Sequence, residues 1–292
     1  MVYRIVYKTR IVLEMIKFEH TIFALPFAYV GALLVQKQIP SLHDLIWITL
    51  AMVGARTAAM SLNRLIDRHI DALNPRTANR ALPRGLVNVK EVGLLIILSF
   101  ALLFFSAYQL SPLAFKLFPI AVAVLSFYSF TKRFSWTCHL FLGLALGLAP
   151  VGAWIAIANR FDLAPVLIGL GVLFWVAGFD IIYACDDYDF DRKYGIHSIP
   201  ARFGLERALL ISAFFHIVAP LFFITVAFVL NLGIFYLAGV LIAVALLFKQ
   251  HTLVSPQDLS RAGVAFFNLN GTLSVVMFVF TLLDVLFPLH LF

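Results

Sequence analysis

Seven of the fifteen acidic residues crowd into two short segments, and their spacing is that of a ligand set. The first segment reads Asn63-Arg-Leu-Ile-Asp67-Arg-His-Ile-Asp71, with oxygen-bearing side chains at every fourth position. On a helix each step of four drifts by about 40° and rises about 6 Å, so the three side chains form one stripe on one face. The second segment, Asp180-Ile-Ile-Tyr183-Ala-Cys-Asp-Asp187-Tyr-Asp-Phe-Asp191, repeats the i, i+4 carboxylate pair. Oxygen donors without cysteine or histidine suit a hard cation, and Mg²⁺ above all when a diphosphate supplies further oxygens. Arg64, Arg68, Lys132, Arg133, Arg192 and Lys193 surround these segments and are the natural counterpart of such an anion. The plainer reading, that these are the solvated ends of membrane helices, accounts for one segment more easily than for two that match. Arg56 lies seven residues before Asn63 and eleven before Asp67, close to whole helical turns, so it shares their face and lines a cavity beneath the acidic rim.

The elements that must position these residues are membrane spans. Hydrophobic residues make up 62% of the 292 and charged residues 13%, and the mean hydropathy is +0.97. A soluble chain has about 45–50% apolar and 25% charged residues. Thirty Phe cannot all be hidden in a core of this size. Soluble enzymes, disordered regions and nucleic-acid modules are excluded despite the net charge of +7. Nine apolar stretches of about the length needed to cross some 30 Å of hydrocarbon lie near 21–36, 44–63, 92–110, 114–131, 137–157, 163–183, 207–230, 232–249 and 266–288. Pro112, Asn159 and Asn231 mark tight turns between them. With these spans, 18 Lys and Arg fall on the side of the N-terminal tail and 3 on the other. The positive-inside rule makes the first side cytoplasmic. The long polar loops, about 64–91 and 184–206, lie on that side together with both carboxylate segments, so the chemistry is expected there. A charged Asp costs about 2.5–3.5 kcal/mol at the centre of a bilayer and less toward its interface. Cys138 and Cys185 are read as small apolar residues, no Cys/His cluster has zinc spacing, and the N-terminus lacks a signal-peptide pattern.

These residues resemble the motifs of the UbiA superfamily of intramembrane aromatic prenyltransferases. Its N-x-x-x-D-x-x-x-D stands here as Asn63, Asp67 and Asp71. Its D-x-x-Y-A-x-x-D-x-x-x-D-x-x-x-G-x-x-S stands as Asp180, Tyr183, Ala184, Asp187, Asp191, Gly195 and Ser198. Tyr128, Lys132 and Arg133 match Y-x-x-x-K-R, and Arg76, Thr77 and Arg80 match R-T-x-x-R. The resemblance covers nearly the whole chain. It implies an all-α polytopic membrane protein, one domain over 1–292 with pseudo-halves of about 1–136 and 137–292. About nine helices would surround a central cavity with a lateral opening and a cytoplasmic cap.

It further implies Mg²⁺ held by Asn63, Asp67, Asp71, Asp187 and Asp191 on a polyprenyl diphosphate. Tyr128 and Lys132 would contact the diphosphate, and Arg56 and Arg133 would anchor substrate. Arg64, Tyr183 and Lys193 complete the expected substrate-binding set. The implied reaction ionises the allylic C–O bond and lets a phenol attack at carbon, ortho to its hydroxyl. The acceptor is an aromatic phenol carboxylate. It is 4-hydroxybenzoate of a ubiquinone-type pathway or, as the opening Ile16 to Phe27 with its Glu19 and His20 suggests, 1,4-dihydroxy-6-naphthoate of the futalosine route to menaquinone. The expected setting is the bacterial inner membrane with lipid around the bundle and the site facing the cytoplasm. An ion-coupled secondary transporter also carries duplicated intramembrane acids, but here they sit at a rim, and nothing on the other side marks an exit path.

Overall fold

The computed structural model describes residues 2–18 and 21–289. Among them every regular element is helical and no strand forms. The N-terminal helix α1 (Val2–Met15) precedes α2 (Thr21–Leu34), α3 (Leu42–Leu73), α4 (Val89–Leu110), α5 (Pro112–Thr131), α6 (Cys138–Ala158) and α7 (Leu163–Ala184). A 3₁₀ turn over Cys185–Asp187 leads into α8 (Tyr188–Tyr194) and α9 (Ile199–Phe203). Then come α10 (Leu205–Leu230), α11 (Ile234–Thr252), the short α12 (Ala262–Val264), a π-helical turn Ala265–Leu269 and α13 (Asn270–Leu286).

Eight of the described helical segments are long and apolar enough to cross a membrane. The expected first span, α2, is shorter: its 14 residues rise about 21 Å, and it carries Pro26 in its interior. It is nonetheless central, wedged against α6 and α13 with Phe23, Phe27, Val30 and Leu34 buried in the main core beside Trp175, Phe179 and Phe223. Many other phenylalanines, among them Phe105, Phe214, Phe228 and Phe248, point outward, as a lipid-facing surface requires. The chain is an integral multi-pass membrane protein.

Local chemistry explains the boundaries. Asn88 and Glu91 form a reciprocal capping box at the start of α4. Ser111 caps α5 through the Ala114 N–H, and Pro112 occupies the first helical turn, where a missing N–H costs nothing. Asn159 and Asn231 end α6 and α10 in the left-handed region, as turn residues with short polar side chains do. Glycine lets α6 and α7 meet backbone to backbone: a Cβ on Gly143 would stand 2.3 Å from the Leu173 carbonyl oxygen.

Two elements depart from the sequence reading. The second span, expected to end near residue 63, runs on as helix to Leu73, so the whole Asn63–Asp71 stripe is helical and the loop shrinks to 74–88. The N-terminal tail is a helix whose Ile11 and Met15 pack on Ala81, Leu82, Val87 and Ile96.

Candidate active site

Both carboxylate segments converge at one end of the bundle, where Asp67, Asp71, Asp187 and Asp191 each meet a partner. Asp67, on α3, is 1% exposed and lies 2.6 Å from Lys132 Nζ, at the end of α5. Asn63 Nδ2 donates to Asp67 Oδ2 at 2.9 Å. Arg133 Nη2 stands 3.0 Å from Asp67 Oδ1, but the guanidinium directs its hydrogens to the Ile66 and Ser129 carbonyls. Asp67 Oδ1 is therefore a buried oxygen without a hydrogen bond among the described residues. One turn on, Asp71 Oδ1 accepts from Arg80 at 2.7 Å, and its Oδ2 is likewise buried without a hydrogen bond.

The segment after α3 crosses to the second motif. Asn74 Nδ2 donates to Asp187 Oδ1 at 2.8 Å, and Arg76 Nε to the same oxygen at 2.9 Å. Arg76 also pairs through Nη2 with Asp187 Oδ2 and donates through Nη1 to the Tyr183 hydroxyl. Its guanidinium lies 4.6 Å from the centre of the Tyr183 ring. Burial works against the charge on Arg76. The hydrogen bonds it donates to Asp187, with Tyr183, more than offset this and hold the pKa above the ordinary range. Tyr183 in turn stacks on Phe266 of the π-helical turn, 4.2 Å between centroids.

The second motif is not one continuous stripe. Helix α7 ends at Ala184, and Asp187 and Asp191 sit on the 3₁₀ turn and on α8. Asp191 accepts from Ser198 Oγ at 2.8 Å, and Gly195, with φ +68, makes the left-handed turn that brings Ser198 back. The site also touches α5 directly: the His197 N–H donates to the Lys132 carbonyl at 2.8 Å.

Below this rim lies a cavity of about 490 Å³, walled by α3, α4, α5, α6 and α7. Arg56 and Tyr128 contribute the polar side-chain atoms of a wall otherwise built from apolar residues such as Ala55, Leu125 and Ala149. The Tyr128 hydroxyl donates to the Ala59 carbonyl at 3.2 Å. The wall includes Ile120 and Leu144, both exposed, so the cavity is open rather than sealed.

Two expected substrate contacts stand apart. Arg64 is buried and turned away, donating to the Met15 carbonyl at 3.1 Å and to Asn63 Oδ1 at 3.3 Å. Lys193 is exposed, with its ammonium over the Tyr194 ring. Glu19 and His20 lie outside the described residues. Asn74 was missed: it is a single polar residue with no period to mark it. Arg76, Arg80 and Ser198 stood within the quoted motifs without being counted as site residues.

The donor set can be tested for Mg²⁺. Among the described residues, no three Asp, Glu, His or Cys side chains are close enough to hold one metal ion. Mg²⁺ does not need such a cage, since it binds through one or two carboxylates plus substrate phosphates and waters. Two buried carboxylate oxygens left without hydrogen bonds, on Asp67 and Asp71, fit that mode.

The UbiA prenyltransferase family profile matches residues 24–272. The chain belongs to the UbiA prenyltransferase family. It is 33% identical over 77% of its length to a 4-hydroxybenzoate octaprenyltransferase of Vibrio atlanticus (strain LGP32), of which the match covers 77%. Among solved structures it is similar to the apo structure of a UbiA homolog from Aeropyrum pernix K1. That match has TM-score 0.84 and 35% identity over 91% of this chain and 98% of the other. A UbiA homolog from Archaeoglobus fulgidus bound to GPP and Mg²⁺ shares the fold, with TM-score 0.76 and 21% identity over 94% of this chain and 99% of that one. As a UbiA-family member the chain is a prenyltransferase, and its two motifs, Lys132 and Arg133 occupy one end of a shared helical bundle.

Proposed function

We propose that this UbiA-family prenyltransferase moves a polyprenyl group from its diphosphate to the ring carbon ortho to the hydroxyl of 4-hydroxybenzoate. The observation that carries the reading is the vertical order of the site: carboxylates and cations at the rim, an apolar cavity below, and one guanidinium in that cavity. The 4-hydroxybenzoate octaprenyltransferase relatives favour the acceptor.

Asn63, Asp67, Asp71, Asp187 and Asp191 would hold Mg²⁺, which supplies positive charge to a departing diphosphate. Lys132 and Arg133, resting on Asp67, and Arg76, resting on Asp187, are placed to donate to the diphosphate oxygens as the C–O bond breaks. A preorganised donor of this kind contributes about 10²–10³ in rate. The apolar wall keeps water from the allylic cation. Arg56, about 10 Å below Asn63 along α3, pairs with the acceptor carboxylate in a bidentate geometry that lysine cannot copy. The prenyl tail leaves through the cavity's open side, where each buried CH₂ contributes about 0.8 kcal/mol.

The same reading makes the chain one unit, 1–292, whose halves join at the rim through Asn74 and Arg76, with 74–88 and 185–203 as a cap on the cytoplasmic side of a bacterial inner membrane. The 18-to-3 split of basic residues supports that orientation. An impermeant thiol reagent should label Arg160→Cys in intact cells and Asn79→Cys only after lysis; the reverse pattern would overturn the sidedness. The acceptor is tested by mass spectrometry of the prenylated phenol from native membranes. A prenylated 4-hydroxybenzoate is expected, and a prenylated dihydroxynaphthoate in its place would refute the acceptor.

A further inference from the structure

Trp175, Phe179 and Tyr183 follow one another at four-residue spacing along one face of α7, and a single stretch of chain, 265–270, meets all three. That stretch is the π-helical turn Ala265–Leu269 with Asn270, set within the continuous helical run Ala262–Leu286. Phe266 lies edge-on to Phe179, 5.3 Å between ring centroids, and stacks on Tyr183 at 4.2 Å. Asn270 Oδ1 accepts from Trp175 Nε1 at 2.7 Å. The row of contacts ends at the rim, where the Arg76 guanidinium lies against the Tyr183 ring and donates to its hydroxyl.

A π turn inside an α-helix holds one residue more than its neighbours and interrupts the regular hydrogen-bond ladder, and such turns concentrate at functional sites. Asn270 supports this one from within. Its Nδ2 donates to the Ala265 and Phe266 carbonyls at 3.0 and 2.8 Å. Its Oδ1 accepts from Gln250 Nε2 of α11 at 2.7 Å as well as from Trp175. Both N–H donors and both acceptor positions of the amide are therefore filled. Asn270, Trp175 and Gln250 are all fully buried. Without the extra residue, Phe266 would turn by about 100° around the helix axis relative to Asn270, and so away from the Tyr183 ring.

We propose that Asn270 is a positioning residue for the diphosphate site. It holds the π turn, the turn holds Phe266 against Tyr183, and Tyr183 is the platform on which the Arg76 guanidinium swings from Asp187 to the diphosphate. This rests on the role given to Arg76 above. Arginine is a long side chain with much rotamer freedom, and a fixed ring beside it restricts that freedom before substrate arrives, which lowers what binding must order. Asn270, Phe266 and Tyr183 do not line the cavity that holds Arg56 and Tyr128. Their influence should fall on the diphosphate and leave the acceptor alone.

The test uses the purified full-length enzyme with Mg²⁺. It measures the Kd for farnesyl thiolodiphosphate, a probe that needs no acceptor, and the KM for 4-hydroxybenzoate. Phe266→Leu removes the stack but no hydrogen-bonding group, and should raise the Kd about three- to tenfold with the acceptor KM unchanged. Phe266→Tyr, which restores a ring, should recover most of that affinity. Asn270→Asp is close in shape but lacks both N–H donors, and should weaken the probe at least as much as Phe266→Leu. Each change is then repeated beside Arg76→Ala, where neither should weaken the probe further, because the group they position is gone. Phe266→Leu carries this cycle by itself where Asn270→Asp does not fold. Losses that add in full to that of Arg76→Ala, or that fall equally on probe and acceptor, would make the turn a purely structural feature and overturn the proposal. So would a wild-type Kd in Phe266→Leu. A wild-type Kd in Arg76→Ala alone would instead refute the placing of Arg76 at the diphosphate, and this inference with it.

Discussion

Asp67 and Asp71 stand on an unbroken helix of 32 residues, whereas Asp187 and Asp191 stand where α7 has ended, on a 3₁₀ turn and a seven-residue helix. The first pair is rigid and buried, and two of its cations, Lys132 and Arg133, come from the end of α5. The second pair is held by chain that is itself on loops: Arg76 and Asn74 from the connection after α3, and Ser198 at the start of α9. The difference suggests a division of labour. Under the proposed function the α3 motif would be a fixed anvil and the α7 motif the side that adjusts, since Arg76 would have to shift its bonds from Asp187 to a diphosphate without disturbing a membrane helix. Irregular backbone at the rim lowers the cost of that adjustment, because loop segments open at lower free energy than packed helices.

The largest expected effects come from removing one carboxylate of each pair. Asp67→Ala and Asp187→Ala should each lower turnover by at least about 100-fold, read as prenylated phenol formed at saturating Mg²⁺. Thermal unfolding in detergent should separate them. Asp67 is 1% exposed and Asp187 16%, and Asp67 anchors Asn63 and Lys132 within the bundle, so the midpoint should fall further for Asp67→Ala. Equal midpoints would remove the contrast between anvil and adjustable side, and wild-type turnover in either variant would remove the shared site.

Smaller effects should split by depth. Lys132→Ala is expected to raise the KM for the prenyl diphosphate about tenfold, some 1.4 kcal/mol, with little change for the acceptor. Arg56→Lys should do the opposite, and a phenol lacking the carboxylate should be insensitive to it. Matching losses on both substrates would place Arg56 in the fold or at the diphosphate. The mildest effect belongs to Tyr183→Phe, which keeps the stack on Phe266 and the ring under Arg76 but loses one hydroxyl. A loss of about 0.5–1.5 kcal/mol in transition-state binding follows. A loss as large as that of Asp187→Ala would show that Tyr183 has a role beyond steadying Arg76.

The spans were legible because twenty apolar residues leave few alternatives, and the turns at Pro112, Asn159 and Asn231 fell where their backbone preferences put them. The motif residues were legible through spacing. The end of α3 was not, because Arg64, Arg68 and the acids lower hydropathy as a loop would, while burial of one face keeps residues 64–73 helical. Helix α1 was missed since five of its fourteen residues are polar or charged and its apolar side fits a patch on the 74–88 segment and the start of α4. Basic neighbours were the least legible feature. Arg64 and Lys193 carry the right charge beside the right acids, yet one faces Met15 and the other solvent. Sequence spacing also hid Asn74, whose partner Asp187 is 113 residues away.

The central claim is a Mg²⁺-dependent C-prenylation at a rim built from both motifs. The most direct measurement is an assay of the purified enzyme with a polyprenyl diphosphate and equal amounts of 4-hydroxybenzoate and 1,4-dihydroxy-6-naphthoate. It is run with Mg²⁺ and again with a chelator, and the product is identified by mass spectrometry and its carbon–carbon bond by NMR. The account expects 4-hydroxybenzoate prenylated ortho to its hydroxyl with Mg²⁺ and no product with chelator. Full product formation in chelator, or an O-prenylated ester or ether in place of the C-prenylated ring, would contradict it.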